Sequence, residues 1–168
     1  MTIRNLSSDL RLSTVTDPSF IQRNRKVMHK KILQASQDAP DYDGGIIEIY
    51  RREVLSQQTR TVRLLGIKCS ASIIQTLLGY EVQTLHKRIQ CPDLVTARYL
   101  KLFSEVGCHS IRLPYDPTLT ARLIPVMESA FQNITDTVTK LFPRDPEFRQ
   151  YIIRKIYAIL REQLRNAV

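Results

Sequence analysis

Residues 58–90 contain two apolar-periodic runs separated by a short polar turn, and this arrangement restricts the fold more than any other feature of the chain. The first run ends in Leu65-Gly66-Ile67, and Ser70 opens the second run. Gly66 can adopt the left-handed conformation that ends a helix, and the Ser70 hydroxyl can cap the helix that follows. The segment therefore predicts a helix-turn-helix-like unit.

This segment can be aligned with a helix-turn-helix in two ways, and each alignment breaks one packing rule. With Gly66 as the turn glycine, Ser72 occupies the position where a branched apolar side chain normally packs the recognition helix against the first helix. With Gly79 as the turn glycine, Leu85 occupies that position, but Gln75 stands where a small buried residue belongs. Plain helical packing without any contact to a nucleic-acid groove stays open as an alternative.

The chain of 168 residues carries a formal net charge of +9, and the surplus lies toward its two ends. Residues 1–68 contain 12 basic and 7 acidic side chains, residues 69–143 contain 7 and 6, and residues 144–168 contain 6 and 3. Such a surplus favours encounters with polyanions, which include nucleic acid and anionic membranes. Together with the helix-turn-helix motif, it makes nucleic acid, and DNA in particular, the leading predicted partner.

Side-chain reach divides the predicted nucleic-acid contacts into two groups. If residues 81–88 form the recognition helix, its polar side chains can meet base edges or phosphates, while basic residues earlier in the chain hold the phosphate backbone. The first group is Gln83, Thr84, His86, Lys87 and Arg88. The second group is Arg60, Arg63 and Lys68, with Arg51 and Arg52 as further members of the same patch. Each of these arginines taken alone is also typical of an ordinary solvated surface.

The overall pattern predicts a mainly α fold, in which a single compact helical domain at residues 17–168 follows an N-terminal arm at residues 1–16. The first helix begins at Asp17-Pro18, because proline suits the first turn of a helix. Residues 36–45 combine one proline, three aspartates and two glycines, so they predict a loop boundary.

Later segments carry separate secondary-structure signals. Residues 46–65 favour a helix, while a β-hairpin of residues 46–55 and 59–65 is the competing interpretation. Residues 109–115 alternate between apolar and polar side chains and predict a strand, so the helical domain can include one small β-sheet. Further helices are predicted at residues 92–106, from Asp116-Pro117 with a kink or a break at Pro125, and from Asp145-Pro146 onward.

The last predicted helix carries a long apolar stripe, which consists of Phe148, Ile152, Ile156, Ile159 and Leu160. An apolar surface of this size needs a partner surface, either in the core or in a subunit interface. A homodimer through the C-terminal helix is therefore a candidate assembly.

Nothing in the sequence indicates an enzyme, a metal site or a cofactor. The histidines and cysteines of interest, His86, Cys91, Cys108 and His109, lack the spacing of a zinc site, and no base is fixed beside a nucleophile. An odd count of three cysteines without a secretory signal predicts reduced thiols in the cytoplasm. No run approaches the roughly 18 apolar residues of a membrane span.

The sequence thus predicts a non-enzymatic, cytoplasmic, DNA-binding or DNA-associated regulatory protein. The alternative is a helical adaptor that binds a protein partner without nucleic acid, and a small hydrolase or transferase stays open without a motif that supports it. One geometric observation separates the first two functions: a shared face for the arginines of residues 51–68 with Lys87 and Arg88 favours DNA binding, and divergence of these side chains favours the adaptor.

Overall fold

A computed structural model describes residues 45–168 of the protein. The predicted N-terminal arm at residues 1–16, the helix that begins at Asp17-Pro18 and residues 36–44 of the predicted loop boundary lie outside the described residues. The described part begins at Gly45, directly before the first helix.

The described residues form four α-helices and five β-strands in two antiparallel sheets. The helices are α1 (Ile46–Ile49), α2 (Leu94–Val106), α3 (Pro117–Leu141) and α4 (Pro146–Asn166), and α1 continues into a π-helical turn at Tyr50–Val54. The strands are β1 (Thr59–Arg63), β2 (Ser72–Thr76), β3 (Gly79–Gln83), β4 (Arg88–Cys91) and β5 (Ser110–Pro114). Helices cover 55% and strands 19% of these residues, so the fold is mixed α/β and the predicted mainly α fold is wrong.

The predicted helix-turn-helix-like segment is also wrong, because residues 58–90 contain strands β1 to β4 and no helix. Strands β2 and β3 form a hairpin whose tip is Leu77-Leu78. Gly79 follows this tip with a φ of +117°, in keeping with the glycine that often closes a tight hairpin. Gly66 does have a positive φ of +83°, but it lies between two strands instead of at the end of a helix.

The three-stranded sheet, with strand order β2-β3-β4, explains why the helical spacing was misleading. Ile73, Val82 and Ile89 lie side by side across its three strands, and helix α2 packs against the sheet. Val82 is completely buried. Ile73 and Ile89 are partly buried beside it. Cross-strand pairing and helix packing remove these β-branched side chains from solvent, and this tertiary effect outweighs the helical periodicity of the segment.

Helix α2 confirms the helix predicted at residues 92–106, although it begins two residues later. The carboxylate of Asp93 accepts a hydrogen bond from the backbone N–H of Thr96 at 2.7 Å and so caps the first turn. Gly107 ends the helix in the left-handed conformation, with a φ of +86°. Arg161 of α4 donates a 2.8 Å hydrogen bond to the carbonyl of Val106, which would otherwise lack an intrahelical partner.

Strands β1 and β5 form a separate antiparallel ribbon. Strand β5 confirms the strand predicted near residues 109–115. The helix predicted across residues 46–65 is correct only as far as Val54, and β1 follows it. The competing hairpin of residues 46–55 and 59–65 does not form, because β1 pairs with β5 instead.

Helix α3 continues through Pro125 without a break, so one of the two predicted outcomes, a division into two segments, does not occur. Helix α4 begins at Pro146, as the sequence predicts. The centre of its apolar stripe is buried within the single chain, since Ile152, Ile156 and Leu160 are each 0% exposed.

The chain divides into two compact units. Among the described residues, the first unit contains Gly45 and residues 130–158, in which the rings of Phe142 and Phe148 pack edge to face with their centroids 5.0 Å apart. The second unit contains residues 46–129 and 159–168, and it includes all five strands. Every nucleic-acid contact predicted from the sequence lies in the second unit.

Candidate nucleic-acid interface

Lys87 and Arg63 meet at the outer edge of β1. The Lys87 ammonium donates a 2.6 Å hydrogen bond to the backbone carbonyl oxygen of Arg63. Arg63 lies opposite Ser110 of β5, at a position of the antiparallel ribbon where the backbone groups point away from the partner strand. Its carbonyl is therefore open to a side chain that approaches from the β3–β4 hairpin.

A tight turn at residues 85–86 holds Lys87 in this position. The backbone N–H of Thr84 donates to the carbonyl oxygen of Lys87 at 2.8 Å, and the N–H of Lys87 donates to the Thr84 hydroxyl oxygen at 3.1 Å. Threonine hydroxyls stabilise tight turns by such local bonds. Thr84 thus fixes the direction in which the Lys87 side chain leaves the hairpin.

Gln83 and Arg88 form a cross-strand pair on the neighbouring strands β3 and β4. With the Gln83 amide oxygen turned toward the guanidinium, it accepts hydrogen bonds from Nε of Arg88 at 3.1 Å and from Nη2 at 3.0 Å. The Arg88 side chain nevertheless stays 70% exposed. This pair presents an oriented, accessible guanidinium beside an amide.

Arg112 extends the positive surface over the β1–β5 ribbon. It lies opposite Thr61, two residues from Arg63, so the two arginines project from the same face of the ribbon as diagonal neighbours. The opposite face carries Ile111 and Leu113, which are both buried. We define the cationic cluster as Arg63, Lys87, Arg88 and Arg112.

The positive charge of the cationic cluster is only partly neutralised. Glu81 lies 3.6 Å from Nε of Arg88, measured to Oε1. Within residues 45–168, Glu81 is the only carboxylate that forms an ion pair with a member of the cluster. Four cations against one carboxylate give a local surplus of the sign that attracts phosphate groups.

The structure brings together only some of the residues predicted from the sequence. Lys87 contacts the backbone of Arg63, Gln83 and Arg88 pair with each other across β3 and β4, and His86 is exposed at the tip of the adjoining turn. Thr84 is only 9% exposed and its hydroxyl is engaged within the turn. Its side chain therefore stabilises the turn, and little of its surface is accessible to a ligand.

The other predicted basic residues lie apart from the cationic cluster. Arg60 falls on the ribbon face that carries Leu113, the face opposite to Arg63, and its charge acts on the thiol of Cys91. Arg51 and Arg52 are exposed in the π-helical turn, where Arg52 lies 3.3 Å from Glu53. Lys68 is exposed in the connection between β1 and β2. The arginines of residues 51–68 therefore do not share one face.

Arg112 is the member of the cluster that sequence reasoning missed. Its alternation with Ile111 and Leu113 indicates an outward-facing side chain in a strand, which the structure confirms. The sequence contains no signal that β5 pairs with β1, and without that pairing Arg112 cannot be related to Arg63.

The three thiols are poor candidates for chemistry. Burial raises the pKa of Cys108 to about 12, and it also raises the pKa values of Cys91 and Cys69 above their ordinary range. All three are therefore protonated, weakly nucleophilic thiols at neutral pH. In the part of the chain that the structure describes, no three His, Cys, Asp or Glu side chains are grouped to bind a metal ion.

Two further findings concern the chain as a whole. No helix within residues 45–168 combines the length and the apolar character that crossing a membrane requires. Comparison of the chain with protein-family models, with curated proteins and with solved structures gives no match.

Proposed function

We propose that this chain is a non-enzymatic, cytoplasmic, nucleic-acid-binding regulatory protein that contacts DNA through the cationic cluster on its β-strands. The observation that carries the proposal is the contact between the Lys87 ammonium and the Arg63 carbonyl, 2.6 Å apart. It joins the β3–β4 hairpin to the β1–β5 ribbon and so brings Lys87 to the strand that carries Arg63. Arg112 projects from the same face of the ribbon as Arg63, and Arg88 directly follows Lys87 in the chain.

The members of the cationic cluster differ in what they can recognise. Arg63, Lys87 and Arg112 are cations suited to phosphate oxygens, which supply affinity without sequence information. Arg88 and Gln83 can read base edges, because arginine pairs with guanine and glutamine with adenine in the major groove.

The nearby carboxylate of Glu81 sets the expected strength of binding. It repels phosphate and competes with DNA for Arg88, from which it is 3.6 Å distant. We therefore expect weak binding that depends strongly on salt. Three or four phosphate contacts correspond to a slope of about −3 to −4 in log affinity against log salt.

A fluorescence-anisotropy titration with labelled duplex DNA tests the proposal over a range of about 50 to 200 mM salt. The double variant Arg63→Ala/Arg88→Ala should weaken binding and reduce the salt slope by about 1, because Arg63 is a phosphate-binding cation and Arg88 reads a base edge. The matched control is Arg51→Ala/Arg52→Ala, which removes the same charge from an exposed position outside the cluster. Equal losses in both variants, or no binding of the unaltered protein at low salt, would contradict the proposal.

A protein-interaction module without nucleic-acid binding is the second candidate. It is favoured by exposed leucines at the tips of both hairpins, since Leu77 is 105%, Leu78 83% and Leu85 82% exposed. The position of Arg60 on the opposite ribbon face also favours it, because a DNA reader would gain from having that arginine in the cluster. Absence of DNA binding together with a stable protein complex would support this second function.

A further inference from the structure

We propose that strand β2 pairs with strand β2 of a second copy of the chain, which joins the three-stranded sheets of both copies into one continuous antiparallel sheet. Strand β2 is an edge strand of its sheet. Its pairing with β3 ends at Thr76 and Gly79, which flank the two-residue turn and form a hydrogen-bonded pair. Hydrogen-bonded pairs alternate along antiparallel strands, so the backbone groups of Ser72, Ile74 and Thr76 face β3. The backbone groups of Ile73 and Gln75 consequently point outward.

These outward groups have no hydrogen-bond partner within residues 45–168. Edge strands in monomeric proteins are usually protected by a charge, a proline or a bulge that prevents pairing with another chain. Strand β2 has none of these protections, because residues 69–80 contain no charged residue and no proline, and the register between β2 and β3 is continuous. The edge is therefore open to a further strand.

A second copy of β2 fits this edge because the strand is complementary to itself. When a two-fold axis passes beside Ile74, Ile73 of one copy lies opposite Gln75 of the other, and their outward backbone groups form the hydrogen-bonded pairs. Ser72 then lies opposite Thr76, so all five residues of β2 are paired. The two Ile74 side chains, each 41% exposed in the single chain, cover one another at the axis.

The residues at the two ends of β2 match each other in size. In the same register, Leu77 and Leu78 of one copy extend toward Ala71 and Ser70 of the other, and these small side chains leave room for the leucines. The single chain leaves Leu77 and Leu78 almost fully in water, so contact with the second copy removes apolar surface from solvent.

The absence of charge at this edge also favours its contact with a second copy. Two chains that each carry a net charge of +9 repel one another at most contacts. The twelve uncharged residues from Cys69 to Tyr80 allow the copies to approach without placing like charges opposite each other.

The experiment measures the mass of the full chain in solution by light scattering after size exclusion. The unaltered protein should have the mass of a dimer. Ile74→Lys should have half that mass, because two lysines would face each other at the axis. Leu85→Lys is the matched control, since it places the same charge at an exposed leucine of the other hairpin, and it should remain dimeric.

A cross-linking variant tests the register itself. In the proposed pairing the two copies of residue 74 are a non-hydrogen-bonded pair with Cα atoms about 4.5 Å apart, which is within the range that a disulfide bridges. Oxidised Ile74→Cys should therefore form a covalent dimer, while Leu85→Cys and the unaltered chain with its own three cysteines should not. Slowed hydrogen exchange at the amides of Ile73 and Gln75 should disappear in Ile74→Lys.

Several outcomes would overturn the proposal. A monomeric mass for the unaltered protein at all accessible concentrations excludes the pairing. A dimer that survives in Ile74→Lys, with native circular dichroism, places the interface elsewhere, and helix α4 is then the first surface to test. Failure of Ile74→Cys to cross-link within an observed dimer excludes the two-fold axis beside Ile74.

Discussion

The hydroxyl of Tyr99 donates a 2.9 Å hydrogen bond to the backbone carbonyl oxygen of Arg112. From another direction, the hydroxyl of Tyr50 accepts a bond of the same length from the Arg112 N–H. Both tyrosines are completely buried, and both rings contact Phe103. The two tyrosine hydroxyls therefore form the hydrogen bonds that the backbone of Arg112 would otherwise form with a third strand beside β5. They also hold Arg112 against the core.

We expect Tyr99→Phe to reduce the free energy of unfolding by about 1 to 3 kcal/mol, because a buried carbonyl loses its donor while the ring still fills its space. Urea denaturation followed by circular dichroism measures the change. Tyr115→Phe is the matched control, since Tyr115 is 64% exposed and its hydroxyl is accessible to water. Equal changes in the two variants would show that the bond from Tyr99 to Arg112 contributes nothing.

The same buried hydroxyls predict how stability depends on alkaline pH. Burial raises the pKa of Tyr50 from 10.0 to about 12, and it raises the pKa of Tyr99 well above the same ordinary value. Burial also raises the pKa of the Cys108 thiol from 9.0 to about 12. Above the ordinary values the unfolded chain binds fewer protons than the native chain, so the free energy of unfolding falls as pH rises.

We therefore expect the stabilisation to be complete below about pH 9 and to be lost between about pH 9 and pH 12. Urea midpoints measured across this range should decline, and Tyr50→Phe should decline less steeply above about pH 10 because one of the titrating groups is absent. Absorbance of tyrosinate in the native protein should likewise appear only at a pH above that of the unfolded chain. A flat stability profile over the range would show that these groups titrate normally.

Two glycines with positive φ should respond differently to alanine. Gly66 and Gly107 have φ of +83° and +86°, a region that costs an alanine about 1 to 2 kcal/mol. A Cβ on Gly66 would meet mainly the movable ring of His109, at 2.9 Å from Nδ1. A Cβ on Gly107 would collide with the backbone of Lys68 and come within 2.8 Å of the carbonyl carbon of Ile67.

We accordingly expect Gly107→Ala to lower the unfolding free energy by about 1 to 3 kcal/mol more than Gly66→Ala, because overpacking against backbone adds to the conformational cost. Thermal and urea unfolding of both variants measure the difference. An equal loss in both would mean that the Ile67-Lys68 backbone moves aside without cost.

The parts of the fold that the sequence predicts correctly are those with local signals. Helix α2 has its cap at Asp93 and its end at Gly107, and α4 has its start at Asp145-Pro146, so these boundaries depend only on neighbouring residues. Residues 58–90 were misinterpreted because an apolar spacing that suits a helix also suits a hairpin packed under α2. Only contacts between distant residues decide between the two.

In the candidate interface, too, the sequence predicts what depends on neighbouring residues and misses what depends on contacts between distant residues. Residues 83–88 were identified because they are polar and close in sequence, although they form two strands and a turn instead of a recognition helix. The contact between Lys87 and Arg63 spans 24 residues, and it depends on how the hairpin lies beside β1. Arg112 joins the cluster through strand pairing over a still longer separation, which a single sequence does not reveal.

The apolar stripe of helix α4 gives the last prediction. Ile156 is 0% exposed within the single chain, so Ile156→Asp places an unpaired carboxylate in an apolar environment. The cost is several kcal/mol, comparable with the total stability of about 5 to 15 kcal/mol of a typical protein, so we expect loss of the cooperative native fold. Circular dichroism and size exclusion measure fold and mass together. The control is Gln150→Asp on the exposed side of the same helix, with an expected change in unfolding free energy within about 0.5 kcal/mol.

A variant that stays folded but changes from dimer to monomer would instead assign the stripe to a subunit interface, as the homodimer predicted from the sequence requires. Native stability and native mass in Ile156→Asp would contradict both assignments, because a buried position at the centre of the stripe cannot accept a charge without consequence.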